Sequence, residues 1–161
     1  MNLGKPRHLD AERFTWTDEL RQNLIVPAIK VQDSTSSGEV IHETFGMEVP
    51  SACTLRDLIR CRVREEVARQ NASPSPTYRG LVCPEGASAA EAGFALASNR
   101  RRIDWERQAD IAEEAFNRNG FFVFLHDSRR GERQLDDLDG VVEVPTDAEL
   151  RFIRLVHLVG G

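Results

Sequence analysis

The stretch Glu149-Leu150-Arg151-Phe152-Ile153-Arg154-Leu155-Val156-His157-Leu158-Val159-Gly160-Gly161 decides how this chain is read. Its residues 150–159 form a strand-like, largely apolar run, and the run passes straight into a diglycine. Glycine has no Cβ and reaches backbone angles closed to other residues, so such a segment can enter a narrow channel in another protein. The carboxylate of Gly161 is sterically unhindered. Adenylation by ATP turns a carboxylate, a poor electrophile, into an acyl donor open to attack by a thiolate or a sulfur donor. The pair Gly160 and Gly161 is therefore the first candidate site.

Working back from that run, Phe121-Phe122-Val123-Phe124-Leu125 is apolar without alternation, which predicts a central strand covered on both faces. Turn residues follow at 127–131, then Gln134-Leu135-Asp136-Asp137-Leu138-Asp139-Gly140 and a short strand over 141–144. Further upstream, Thr54-Leu55-Arg56-Asp57 has the form of a helix start. The threonine oxygen can accept from first-turn amides while the acid three residues on faces back toward them. Leu55, Leu58, Ile59, Val63 and Val67 recur at helical spacing, with Arg56, Arg60, Arg64, Glu65 and Arg69 directed elsewhere, so the helix packs on a sheet and ends near Asn71. Before it, Ile29 and Val31 alternate with Lys30 and Gln32, and turn residues fill 33–38. A second extended run carries Val40, Ile41, Phe45, Met47 and Val49, so a hairpin is expected, with Gly46 weakening the second strand or marking a bulge.

Residues 71–102 are rich in Ala, Ser, Gly and Pro and read as an insertion, partly looped or mobile. A second helix is expected from an Asp104 N-cap through Trp105, Ala109, Ile111, Ala112, Ala115 and Phe116, stopping at Asn119-Gly120. Residues 1–24 form a polar arm with a short helical stretch capped by Thr17.

A length of 161 residues supports one well-buried core, hence a single domain with decorations. The net charge of -5 argues against general nucleic-acid binding, which needs an excess of Lys and Arg on one face. No run approaches the ~20 apolar residues of a membrane span, and residues 1–8 lack a signal peptide's apolar core, so a cytoplasmic location is expected. Cys53, Cys61 and Cys83 form no Cys-x-x-Cys pair and fit reduced thiols. Only Lys5 and Lys30 are lysines among 21 basic residues, which leaves few acceptor amines on the chain itself.

The order of hairpin, capped helix, insertion, strand, short strand and final strand ending in Gly-Gly resembles the β-grasp fold of ubiquitin-like proteins. It also resembles their bacterial sulfur-carrier relatives, the small subunit of molybdopterin synthase and the thiamine sulfur carrier. The matching residues are Thr54-Leu55-Arg56-Asp57-Leu58-Ile59 and the run 149–161, and the likeness covers residues 25–71 and 121–161. It implies an α+β, β-grasp architecture with a mixed sheet and a packed helix. The domain occupies residues 25–161, with a helical insertion over 72–120 and the arm over 1–24.

For function, the resemblance implies a bacterial-type protein modifier that is not itself an enzyme and carries no catalytic residues, metal or cofactor. A partner adenylating enzyme, of the ubiquitin-activating kind, uses ATP and magnesium to activate Gly161. A conjugating enzyme, a deconjugating metalloprotease and protein targets are the further implied partners, with neither nucleic acid nor membrane among them. Ubiquitin's tail is basic before the glycines, whereas His157, Leu158 and Val159 stand here, so a dedicated activating enzyme that reads those three residues is expected. Two alternatives stay open: a sulfur carrier with a C-terminal thiocarboxylate, and a non-conjugating β-grasp interaction module.

The remaining candidates are bland. His8, His42, His126 and His157 show no metal-ligand spacing. Asp136, Asp137 and Asp139 lack the spacing and terminal glutamate of a calcium loop and read as a solvated turn. Arg100-Arg101-Arg102 reads as a solvated run or as a contact for an acidic partner. No Gly-rich phosphate loop or Gly-x-Ser-x-Gly elbow is present.

Overall fold

The computed structural model describes residues 28–91, 93–98 and 102–155. Strand β1 (Ala28–Thr35) turns at Gly38 into β2 (Val40–Glu48), the expected hairpin. Its register steps from Ile29 opposite Met47 to Val31 opposite Thr44. That step places a bulge where Gly46 adopts φ +83, an angle glycine takes without steric cost.

After the short β3 (Ala52–Thr54), helix α1 (Leu55–Ala72) begins with the predicted capping box. The Thr54 hydroxyl oxygen accepts from the Asp57 amide at 3.1 Å, and the Asp57 carboxylate accepts from the Thr54 amide at 3.0 Å. The next two first-turn amides are met from far along the chain: Leu55 N–H donates to the Gly140 carbonyl at 3.3 Å and Arg56 N–H to that of Leu138 at 2.9 Å. The loop over 136–140 thus closes a helix end that would otherwise leave donors unmet.

Among its described residues the insertion holds a small sheet joined by turns and loops. Strands β4 (Thr77–Tyr78), β5 (Ser88–Ala90) and β6 (Gly93–Ala95) assemble in the order β4-β6-β5. Composition concealed it because few large side chains anchor it: Tyr78, Leu81 and Val82 are buried, and Phe94 and Leu96 pack partly buried against the core. Side chains from the helices tie it down. Gln108 donates to the Val82 carbonyl at 2.8 Å, and Asn71 exchanges two hydrogen bonds of 2.9 Å with the backbone of Ile103. Helix α2 (Trp105–Asn117) starts at Asp104, whose carboxylate accepts from the Glu106 and Arg107 amides, as its sequence predicts. It stops at Asn119, which takes φ 57. Arg56 and Arg60 of α1 pair with Glu113 and Asp110 of α2, and the guanidinium groups of Arg60 and Arg64 lie 5.7 and 5.8 Å from the Trp105 ring centre.

Strands β7 (Phe121–Asp127), β8 (Gly131–Leu135), β9 (Val141–Glu143) and β10 (Glu149–Arg154) complete the described chain. The main sheet has five strands in the order β2-β1-β10-β7-β8, with β10 parallel to β1 and every other pair antiparallel. Strand β9 pairs instead with β3, outside that sheet. The fold is α+β, with a mixed sheet and two helices. The core lies between the helices and one face of the sheet: Ile29, Val31, Val123, Leu125, Leu150 and Phe152 meet Leu55, Leu58, Ile59, Val63 and Val67. Each such side chain contributes roughly 1.5–3 kcal/mol by burial.

Two expectations change. Strand β7 is interior in the sheet but covered on one face only, since Phe121, Val123 and Leu125 are buried whereas Phe122 and Phe124 are half-exposed. Strand β8 went unread because Gly131-Glu132-Arg133-Gln134 has no apolar alternation; its pairing to β7 holds it in place. Among the described residues no helix is long and apolar enough to cross a membrane.

Candidate functional site

The sequence-predicted site residues Gly161, Gly160, Val159, Leu158 and His157 lie outside the described residues, as does the arm over 1–24. What is described is the root of that tail. Strand β10 carries it from the middle of the sheet, flanked by β1 and β7 over its whole length, from Glu149 opposite Lys30 and His126 to Arg154 opposite Thr35 and Phe121. Past Arg154, Leu155 N–H donates to the Gly120 carbonyl at a longer 3.4 Å, and Leu155 is exposed. Residue 155 is also the last described residue before the tail.

Charge is buried at that point. Residues 150, 152 and 154 of β10 share the core face, as do residues 29, 31 and 33 of β1, so Arg154 and Asp33 stand on that face toward the end of their strands. On α1, Arg62 falls on the stripe of Leu55, Leu58, Ile59 and Val63. Arg62 grips Asp33 with two bonds of 2.5 and 2.6 Å, and Arg154 donates to the same carboxylate at 2.9 Å. Arg62 also reaches Glu66 at 2.7 Å and stands 4.2 Å over the Phe152 ring. The second oxygen of Glu66 accepts from the Tyr78 hydroxyl at 3.3 Å and from Leu81 N–H at 3.0 Å, both in the insertion.

Two acids and two arginines thus form a neutral set, with Asp33 2% and Arg62 5% exposed. Burial pushes the Asp33 carboxyl upward, but Arg62 and then Arg154 more than reverse this and hold it below the usual carboxylate range. Burial, followed by the Glu66 charge, raises the Tyr78 phenol far above its ordinary value. The Nε of Arg154 is buried with no partner among the described residues.

The other face of the sheet divides in two. Near the tail root Ile153 stands opposite Phe122, with Phe124 one pair further along, and Val40 and Ile41 exposed on β2. At the far end lie the Lys30–Glu149 and Arg151–Glu132 pairs and exposed His126. Ile153, Phe122 and Val40 thus leave apolar surface near Arg154, bordered by Phe124 opposite Arg151.

No protein-family model, curated protein or solved structure matches this chain. The reading of the site therefore stands on its own residues.

The remaining sequence candidates fall into structural places. Asp139 pairs with Arg56, and Asp137 accepts from the Asp139 amide at 3.0 Å, so these two acids shape the loop over the α1 N-terminus. The three cysteines are free thiols; burial, then Asp57 and Cys61, pushes Cys53 up to about 12, leaving it a poor nucleophile. Among the described residues no group of His, Cys, Asp or Glu is placed to hold a metal ion. Sequence reasoning missed Asp33, Arg62, Glu66 and Arg154. A signal was available: each charge falls in phase with the apolar residues of its own element.

Proposed function

We propose that this protein is a ubiquitin-like modifier of β-grasp fold, which donates the acyl group of Gly161 to target amines. The observation that carries the reading is the strand order. The hairpin β1–β2, helix α1 packed on the sheet, and β10 inserted parallel to β1 with β7 and β8 beyond it support a β-grasp reading of this α+β fold. This order sets β10, the strand that precedes Gly160 and Gly161 in the sequence, in the middle of the sheet, and Leu155 after it is exposed.

The chemistry belongs to the partners. In the adenylating enzyme, an oxygen of the Gly161 carboxylate bonds to the α-phosphorus of ATP and pyrophosphate leaves. A partner thiolate then displaces AMP to form a thioester. A lysine amine attacks that carbonyl, loses a proton and releases the thiol. Val159, Leu158 and His157 provide the segment read during activation, and the apolar surface of Phe122, Phe124 and Ile153 beside the root gives the activating enzyme a place to bear. The same apolar surface favours a second reading, an interaction module whose tail is inert.

The test is recovery of an N-terminally tagged chain from its native host under denaturing conditions, beside a copy lacking Gly160 and Gly161. Higher-mass covalent adducts seen only with the intact tail are expected. Equal patterns from both copies would overturn the modifier reading. In that event, a carboxylate-to-thiocarboxylate mass shift on the free protein marks a sulfur carrier, and partners retained by the shortened copy in native recovery mark the interaction module.

A further inference from the structure

Two buried charges, Asp33 and Arg62, joined to the partly buried Glu66 and Arg154, call for a reason beyond stability, because a buried ion set is often no more stable than apolar groups of the same volume. An apolar set would pack β10 equally well, but it would not fix a direction. A carboxylate gripped at both oxygens does so, since the guanidinium fork is planar and its bonds are directional. Asp33 is gripped in this way by Arg62, and the oxygen that faces Arg62 Nη2 also receives Arg154. Arg154 is the last paired residue before the tail root. The set does not stop at α1, because Glu66 passes it on to the Tyr78 hydroxyl and the Leu81 amide. Tyr78 is itself closely confined: a Cβ on Gly93 would lie 2.4 Å from its carbonyl oxygen, and one on Gly80 would lie 2.2 Å from its ring.

We propose that Asp33, Arg62 and Glu66 are positioning residues that couple the insertion sheet to the tail root, so that ordering Tyr78 and Leu81 fixes Arg154 and the place where the chain leaves the sheet. A partner that grips the insertion therefore steadies the tail, and an enzyme that grips the tail steadies the insertion. Such coupling is reciprocal by thermodynamic necessity. Only its consequence for acyl transfer rests on the modifier reading; the coupling is a property of the folded chain.

Two amides report on the two ends: Leu81 N–H, which donates to Glu66, and Leu155 N–H, next in the chain to Arg154, which donates to the Gly120 carbonyl. The experiment is amide hydrogen exchange by NMR on the full chain, with each rate normalised to the core amides of Val123 and Leu150. Tyr78→Phe removes the hydroxyl at the insertion end and is read at Leu155. Arg154→Lys keeps the charge but loses the fork at the tail end, and is read at Leu81. Each distant reporter is expected to exchange about fivefold faster or more, the lower end of typical coupling factors. Distant reporters that stay level with the core amides would overturn the proposal, because a role in overall stability alone moves all amides together. Tyr78→Phe retains the ring and its packing, so that arm decides the question if the arginine variant does not fold. Neither arm depends on conjugation, so failure of the modifier reading and failure of the coupling are separately visible.

Discussion

Two buried aspartates, one at each end of the sheet, solve the same problem in different ways. Asp127 closes β7 and is held locally: its carboxylate accepts from the Arg129 and Arg130 amides at 2.9 and 2.7 Å and from Arg133 across the hairpin at 2.7 Å. Asp33 closes the core face of β1 and is held by residues from elsewhere, Arg62 on α1 and Arg154 on β10. One carboxylate organises a turn, and the other joins three elements at the point where the proposed functional tail begins. A local anchor keeps its shape wherever its hairpin forms, whereas a tertiary anchor exists only when the entire fold is assembled, so it can transmit what happens at one element to another.

The sharpest way to break that contrast is to remove one arginine from each end. Arg62→Ala strips Asp33 of its bidentate partner and leaves Glu66 without its cation, so a loss of about 3–5 kcal/mol in urea unfolding is expected, the range for breaking a buried pair. Arg133→Ala leaves Asp127 its two backbone donors and should cost clearly less in the same assay. Equal losses would show that the two anchors are alike.

The next effect is on packing around the insertion. Gly93 adopts φ +125, and a Cβ there would collide with the Tyr78 carbonyl, whereas Gly131, at φ +68 in the hairpin beside Asp127, has open space around it. Gly93→Ala should cost about 2–3 kcal/mol, because strained backbone and a backbone contact add. Gly131→Ala should cost only about 1 kcal/mol, for the left-handed conformation alone. Thermal or urea unfolding of the two variants ranks them.

Acid sharpens the comparison further. In the folded chain both carboxyls titrate below their unfolded value, which is about 3.9. For Asp33, burial raises it and the two arginines lower it further; for Asp127, the hydrogen bond from Arg133, followed by the Arg130 amide, brings it to about 2. Between the folded and unfolded values the unfolded chain binds a proton that the folded chain does not, so stability rises with pH there. It is fully present above the unfolded value and is lost as pH falls through the folded one. Unfolding followed by circular dichroism between pH 1 and 6 should therefore show a flatter acid limb in both Asp33→Asn and Asp127→Asn than in the parent. An unchanged limb in either variant would remove that aspartate from the account.

What could be read in the sequence divides along the same line. The capping box at Thr54 and Asp57, the Asp104 cap and the Asn119-Gly120 stop are local devices, and all three are where their residues place them. Strand β10 was legible as a largely apolar run, and the hairpin from alternation and its turn residues. Strand β8 was not, because its residues are polar and its strand character comes from pairing with β7. The sheet in the insertion was hidden for a related reason, since small residues hold strands only where a neighbour such as Tyr78 supplies the bulk. The charge set escaped because its members lie 29 and 121 positions apart along the chain. Each is visible separately as a charge in phase with a core stripe, but their meeting is a tertiary event.

The central claim is that Gly161 is an acyl donor at the end of an anchored strand. The most direct measurement is mass spectrometry of trypsin-digested adducts, recovered under denaturing conditions so that Arg154 is freed for cleavage. The account predicts target lysines that carry the remnant Leu155-Val156-His157-Leu158-Val159-Gly160-Gly161 through an isopeptide bond. Adducts joined through any other residue of this chain, or no remnant on any lysine, would contradict it.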